Sequence, residues 1–79
     1  MKNHVNKKAE KILNTIMSDG EERYADEMLR MVHDRYRTRL NKYWSTAPNV
    51  YSFNIWLKRN GNYTKKTGRD GKNKWRMII

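Results

Sequence analysis

The chain has 79 residues, and its 18 Lys or Arg against 8 Asp or Glu give a formal net charge of +10. This length predicts one small domain over residues 1–79, and the charge predicts an anionic partner. The sequence has no cysteine, which excludes disulfides, thiolate metal sites and cysteine nucleophiles. We find no secretion signal and no apolar run of membrane-spanning length, so we expect a soluble, cytoplasmic protein without a membrane partner.

Two amphipathic helices are predicted in the first half of the chain, over residues 5–17 and 21–43. Apolar side chains recur at helical spacing in both segments and form one stripe on each. The stripes consist of Val5, Ala9, Ile12, Leu13, Ile16 and Met17, then Ala25, Met28, Leu29, Val32, Tyr36, Leu40 and Tyr43. Ser18 and Glu21 have the spacing of a capping box, which predicts the start of the second helix.

Residues 45–49 form the predicted linker between a helical part, 1–44, and a basic part, 50–79. Pro48 disfavours helix at the residue before it, and the small polar residues around it have no periodicity. This is the clearest boundary in the chain.

Residues 50–59 fit two structures. Every second side chain is apolar, as in a half-buried strand: Tyr51, Phe53, Ile55 and Leu57. Phe53, Trp56 and Leu57 also have helical spacing, and Asn60-Gly61 would end such a helix. We prefer the strand, because β-branched and aromatic residues favour it and Asn-Gly is a strong hairpin turn.

The predicted fold class is α+β, with the two helices packed on a C-terminal three-stranded antiparallel meander. Two-residue turns at Asn60-Gly61 and Asp70-Gly71 would place Lys66 opposite Trp75 and leave Trp75 on the core face. Trp56 and Tyr63 would then lie on the solvent face, unless the register slips by one residue. The alternative is a third helix at 50–59 followed by one β-hairpin.

The basic residues of this C-terminal part predict nucleic-acid binding, to DNA or RNA, through the sheet face and the hairpin. Eight Lys or Arg and a single acid, Asp70, give residues 45–79 a net charge of +7. Cations neutralise phosphates and exposed rings stack on bases. The predicted contact residues are Trp56, Lys58, Arg59, Tyr63, Lys65, Lys66, Arg69, Lys72, Lys74 and Arg76. A second interpretation places the two rings in the core or in an oligomer contact and uses the lysines to protect an edge strand.

Two other functions fit the same composition. One is a regulator or inhibitor that docks on an acidic protein surface or on a nucleic-acid-binding partner. The other is a metal-independent ribonuclease, for which Tyr63, Lys65, Arg76 and His33 would be the candidate residues. No catalytic motif supports an enzyme, and no cofactor is predicted. His4 and His33 are too far apart in sequence to form a local ligand pair, so no metal site is predicted.

Overall fold

The computed structural model describes residues 5–78, which form three helices and a three-stranded antiparallel sheet. The helices are α1 (Lys7–Met17), α2 (Ala25–Leu40) and α3 (Val50–Asn60). The strands are β1 (Arg23–Tyr24), β2 (Tyr63–Thr67) and β3 (Asn73–Met77), in the spatial order β1-β3-β2. The α+β fold class is confirmed. None of the helices within residues 5–78 has the length and apolar content needed to cross a membrane.

Helix α1 agrees with the prediction. It begins after Asn6, whose side-chain oxygen accepts a hydrogen bond of 2.8 Å from the backbone N–H of Ala9. This contact satisfies one of the free amides at the start of the helix. The apolar stripe of residues 5–17 is buried along its whole length.

Helix α2 is shorter than predicted at both ends. It begins at Ala25, and it ends where Asn41 takes the left-handed conformation with φ 52°. The predicted capping box of Ser18 and Glu21 is wrong, because the Ser18 hydroxyl donates back to a carbonyl of α1. The chain turns after α1 and becomes extended before α2 begins.

This extended segment is β1, the third strand of the sheet. Arg23 lies opposite Trp75, and Tyr24 lies opposite Lys74. The predicted meander of three consecutive strands is therefore wrong, since one strand comes from the first half of the chain. Hydrogen bonds to β3 hold these two residues extended and delay the start of α2.

Residues 50–59 are helical, so the preferred strand is wrong and the helical alternative is confirmed. The side chain of Asn49 accepts a hydrogen bond of 2.8 Å from the backbone N–H of Ser52 and caps α3. Gly61 ends the helix in the left-handed conformation with φ 81°. The buried side chains of α3 are Phe53, Trp56 and Leu57.

The β2–β3 hairpin is one residue out of the predicted register. Lys65 lies opposite Trp75, where the prediction placed Lys66. A register shift of one residue exchanges the side chains that face the core with those that face solvent. Tyr63 therefore lies on the core face of β2 instead of the solvent face, and it is buried.

The shift arises in the hairpin loop, residues 68–72. The backbone N–H of Gly68 donates to the Lys72 carbonyl at 2.9 Å, and Gly71 has φ 79°. These contacts fit a three-residue turn followed by a bulge, where the prediction assumed a two-residue turn. The Asp70 carboxylate accepts a hydrogen bond of 3.0 Å from the Lys72 N–H, which stabilises the longer loop.

The three helices and the sheet share one hydrophobic core. Trp44, just beyond α2, is 2% exposed, whereas Tyr43 is 74% exposed although the sequence predicted it in the core. The rings of Trp44 and Tyr36 stack with their centroids 5.7 Å apart. Trp44 thus packs against α2 from the α2–α3 connection, where the helical period no longer applies.

Candidate nucleic-acid interface

The two rings predicted to stack on bases lie in the core. Trp56 is 8% exposed and Tyr63 is 5% exposed, and their ring centroids are 6.4 Å apart. Trp75 is 3% exposed, so the expected contrast between an exposed Trp56 and a buried Trp75 is wrong. The helical structure of residues 50–59 and the shifted hairpin register turn both rings inward. Base stacking needs a free ring face, which neither ring offers.

Tyr63 and His33, two of the ribonuclease candidates, each have a partner inside the fold. The Tyr63 hydroxyl donates to the side-chain oxygen of Asn14. Burial raises the pKa of this hydroxyl, and the nearby Glu10 carboxylate raises it further. The His33 ring packs against Trp44 instead, with ring centroids 5.1 Å apart. These two ribonuclease candidates therefore have separate partners.

The predicted cations divide between α3 and the hairpin. Lys58 and Arg59 are exposed in the last turn of α3. On the hairpin, the exposed members of the predicted set are Lys65, Lys66, Arg69, Lys72 and Arg76, and Lys74 is half-buried. All eight predicted cations thus have side chains at least partly open to solvent.

The sheet register brings several of these cations to one face. Lys66 lies opposite Lys74, Thr64 lies opposite Arg76, and Tyr24 lies beside Lys74 on β1. Residues directly opposite each other project from the same side of a sheet, and the other side carries the buried rings. We call Tyr24, Thr64, Lys66, Lys74 and Arg76 the outer sheet face.

Helix α3 presents a second surface to solvent. Tyr51 is 75% exposed, Val50 41% and Ile55 38%, although the predicted strand placed Tyr51 and Ile55 in the core. Tyr51 and Ile55 are four residues apart, so they adjoin on the helix surface. Lys58 and Arg59 follow one turn later. We call Val50, Tyr51, Ile55, Lys58 and Arg59 the exposed face of α3.

Two open grooves meet at Tyr24, and one of them joins α3 to the hairpin loop. One groove is lined by Val50 and Asn54 of α3, by Lys72 of the hairpin loop and by Tyr24. The other lies on the outer sheet face, with Lys66 and Tyr24 among its lining residues. Tyr24 therefore lies between the α3 groove and the hairpin cations.

Acids also line these grooves: Asp26 lies in the α3 groove, and Glu22 and Asp70 lie in the groove on the outer sheet face. Asp70 is the one acid of the hairpin, and it accepts hydrogen bonds from the Lys72 N–H at 3.0 Å and from the Tyr24 hydroxyl at 3.3 Å. These bonds hold the pKa of Asp70 below its ordinary value, the Lys72 N–H contributing most. The ion pairs found within residues 5–78 lie at the α1–β1 connection and on α2, so they neutralise no cation of α3 or the hairpin.

Neither a metal centre nor a known relative defines the site. In the part of the chain that the structure describes, no three metal-ligating side chains lie together, and His4 lies outside that part. No family model, curated protein or solved structure matches this chain. Function is therefore inferred from the chemistry of the surface.

The sequence prediction missed five residues of this surface, which are Tyr24, Val50, Tyr51, Ile55 and Thr64. The helical spacing of the buried residues of α3, together with the Asn49 cap, was the pattern that could have placed Tyr51 and Ile55 outside. No comparable pattern existed for Tyr24, because its neighbours on β3 are about 50 residues away in sequence.

Proposed function

We propose that the protein binds double-stranded DNA, with the exposed face of α3 in the major groove and the hairpin cations on the phosphate backbone. The observation that carries this proposal is the continuity of the two surfaces: a solvent-facing helix adjoins a hairpin whose cations form no ion pair within residues 5–78. A single α-helix fits the major groove, which is about 12 Å wide.

The order of the helices supports this orientation. In helix-turn-helix proteins, the second helix of a pair enters the major groove and neighbouring elements contact the backbone. Helices α2 and α3 follow the same order, although residues 41–49 make a longer connection than the usual three or four residues.

The two surfaces have different chemical roles in this proposal. The hairpin residues Lys66, Arg69 and Arg76 neutralise phosphates, a contribution that does not depend on base sequence. Tyr51 and Ile55 contact base edges, where apolar groups of this kind meet the methyl group of thymine. The hairpin thus supplies most of the affinity, and α3 supplies the preference for particular bases.

Fluorescence anisotropy over a salt series tests the proposal with duplex DNA, single-stranded DNA and duplex RNA of one length. We expect the duplex DNA to bind most tightly, with an affinity that falls steeply as salt rises. The deep, narrow major groove of duplex RNA does not admit side chains, so RNA should bind more weakly. No duplex binding at about 50 mM salt, or equal binding of the single strand, would contradict the proposal.

Two matched pairs of variants separate the two surfaces. Tyr51→Ala should weaken duplex binding by about 1 kcal/mol, the lower end for a base contact. Tyr43→Ala is its control, because Tyr43 is 74% exposed and Tyr51 75%. Lys66→Ala should flatten the salt slope by about 0.9, because one phosphate is no longer neutralised. Its control, Lys8→Ala on α1, should leave the slope unchanged.

A second candidate function is docking on an acidic protein, as a regulator or inhibitor. The observation that favours it is the apolar exposure of Tyr51 and Ile55, since aromatic residues are enriched at protein interfaces. A pull-down after nuclease treatment tests it. One stoichiometric protein partner that Tyr51→Ala no longer captures would support this function, whereas disappearance of every partner along with the nucleic acid would support DNA binding.

A further inference from the structure

Tyr24 contacts more of the hairpin than any sequence pattern indicates. It lies in β1 opposite Lys74 of β3, and its ring centroid is 4.9 Å from the Lys74 ammonium nitrogen. The Lys72 ammonium nitrogen lies 5.9 Å from the same centroid. Both distances are within the range of a cation–π interaction.

The Tyr24 hydroxyl has a separate partner. It donates a hydrogen bond of 3.3 Å to Oδ2 of Asp70, while Oδ1 of the same carboxylate accepts from the Lys72 N–H. Both carboxylate oxygens of Asp70 are thereby engaged. The one acid of the hairpin loop is thus held toward the loop backbone and toward Tyr24.

We propose that Tyr24 is a positioning residue of the nucleic-acid interface, which orders the ammonium groups of Lys72 and Lys74 for contact with the phosphate backbone. This inference rests on the proposed DNA binding and adds the residue that organises the hairpin cations. The ring supplies attraction without accepting a hydrogen bond. Each ammonium group therefore keeps its N–H donors for phosphate oxygens.

Two physical effects make such ordering useful. A lysine side chain loses much rotamer freedom when it is immobilised, and a lysine already held against a ring loses less on binding. The Tyr24 hydroxyl also occupies Asp70, which would otherwise have an oxygen free to pair with either lysine. Tyr24 therefore lowers the entropic cost of binding and limits competition from the one acid in the loop.

The test compares duplex DNA affinity and salt slope for Tyr24→Leu, Tyr24→Phe and the wild type. Tyr24→Leu removes both effects, and we expect binding weaker by about fivefold, which matches one exposed cation–π interaction. Tyr24→Phe keeps the ring and frees Asp70, so a smaller loss of affinity is expected. Thermal unfolding of each variant shows whether the fold is retained, and Tyr24→Phe remains informative if Tyr24→Leu does not fold.

A double-mutant cycle separates positioning from a structural role. In a Lys72→Ala/Lys74→Ala background, Tyr24→Leu should weaken binding no further, because the groups it orders are gone. The same weakening in both backgrounds would overturn the inference, since Tyr24 would then act through the fold. In the free wild-type protein, the methylene protons of Lys74 beside the ammonium group should show an upfield ring-current shift that Tyr24→Leu abolishes.

The outcomes distinguish the two proposals. If the wild type binds duplex DNA and Tyr24→Leu binds it with the same affinity, only the role of Tyr24 is overturned. Absence of duplex binding by the wild type overturns the proposed function and, with it, a role for Tyr24 in binding. Persistence of the Lys74 ring-current shift in Tyr24→Leu shows that the ring does not hold the lysine, and it overturns the inference whatever the affinity.

Discussion

Tyr51 and Trp56 show how one choice of secondary structure decides which side chains are available for binding. A strand puts Tyr51 on the core face and Trp56 on the solvent face, whereas α3 does the reverse. On a helix the two side chains point about 140° apart, because each residue advances about 100°. Tyr51 is consequently 75% exposed and Trp56 is 8% exposed.

Stability measurements on variants of these two residues check that Trp56 lies in the core and Tyr51 in solvent. Trp56→Ala should cost about 3–5 kcal/mol of unfolding free energy, as large-to-small core changes do. Tyr51→Ala should stay within about 0.5 kcal/mol of the wild type, as exposed positions do. Urea unfolding followed by fluorescence of the remaining tryptophans gives both values. Equal costs would contradict the placement of α3.

The connection from α1 to β1 shows how a short element is held in place. Arg23 donates two hydrogen bonds to the Asp19 carboxylate, at 3.0 Å to Oδ1 and 2.8 Å to Oδ2. The Arg23 side chain is 17% exposed, so the pair lies at the border of the core. A two-residue strand has few hydrogen bonds of its own, and this fork helps fix where β1 begins.

The pH dependence of stability tests that fork. The hydrogen bond from Arg23, followed by one from the Glu21 N–H, lowers the pKa of Asp19 from 3.8 to about 2. Because the folded-state pKa lies below the unfolded value, the Asp19 contribution is complete above pH 3.8. It is lost as the pH falls through about 2.

Asp19→Asn should therefore lose less stability than the wild type over this acid range. Chemical unfolding at a series of pH values measures the difference. Arg23→Gln, which removes the partner and keeps the carboxylate, should flatten the pH dependence in the same way. Identical acid sensitivity of all three proteins would show that the fork contributes nothing.

At the scale of the whole molecule, the boundary between the weakly charged and the strongly basic part of the sequence is not a boundary of the fold. The basic part, residues 50–79, contains α3 and the hairpin but only two of the three strands. The buried face of α3 packs into a core shared with α1 and α2. The surface proposed to bind DNA is thus supported by the less charged first half.

A peptide of residues 45–79 should therefore fail to fold alone. At about 35 residues it falls below the size at which single domains without disulfides or metals are usually stable. It also lacks Tyr24 and the helices that cover Phe53 and Trp75. Near-ultraviolet circular dichroism should show no fixed aromatic environment in the peptide and a clear signal in the full chain. A folded peptide would show that the hairpin and α3 form an independent unit.

Features that depend on local chemistry were readable from the sequence. The period of α1 identified its buried stripe, since the stripe requires only a regular helix and a core beside it. The concentration of positive charge in residues 45–79 was also readable directly, and it survives as a solvent-accessible surface. The helical pattern of Phe53, Trp56 and Leu57 was present too, but the same ten residues also fit a strand, which their β-branched and aromatic residues favoured.

Features that depend on distant partners emerged only in the folded chain. Arg23 and Tyr24 are extended because β3 pairs with them, and no local pattern marks such a short strand. The hairpin loop needed one more residue than the Asp70-Gly71 pair suggested, and that single residue moved Tyr63 from the solvent face to the core. Which rings are buried and which cations share a face follow from these pairings, because side-chain direction in a sheet alternates with every residue.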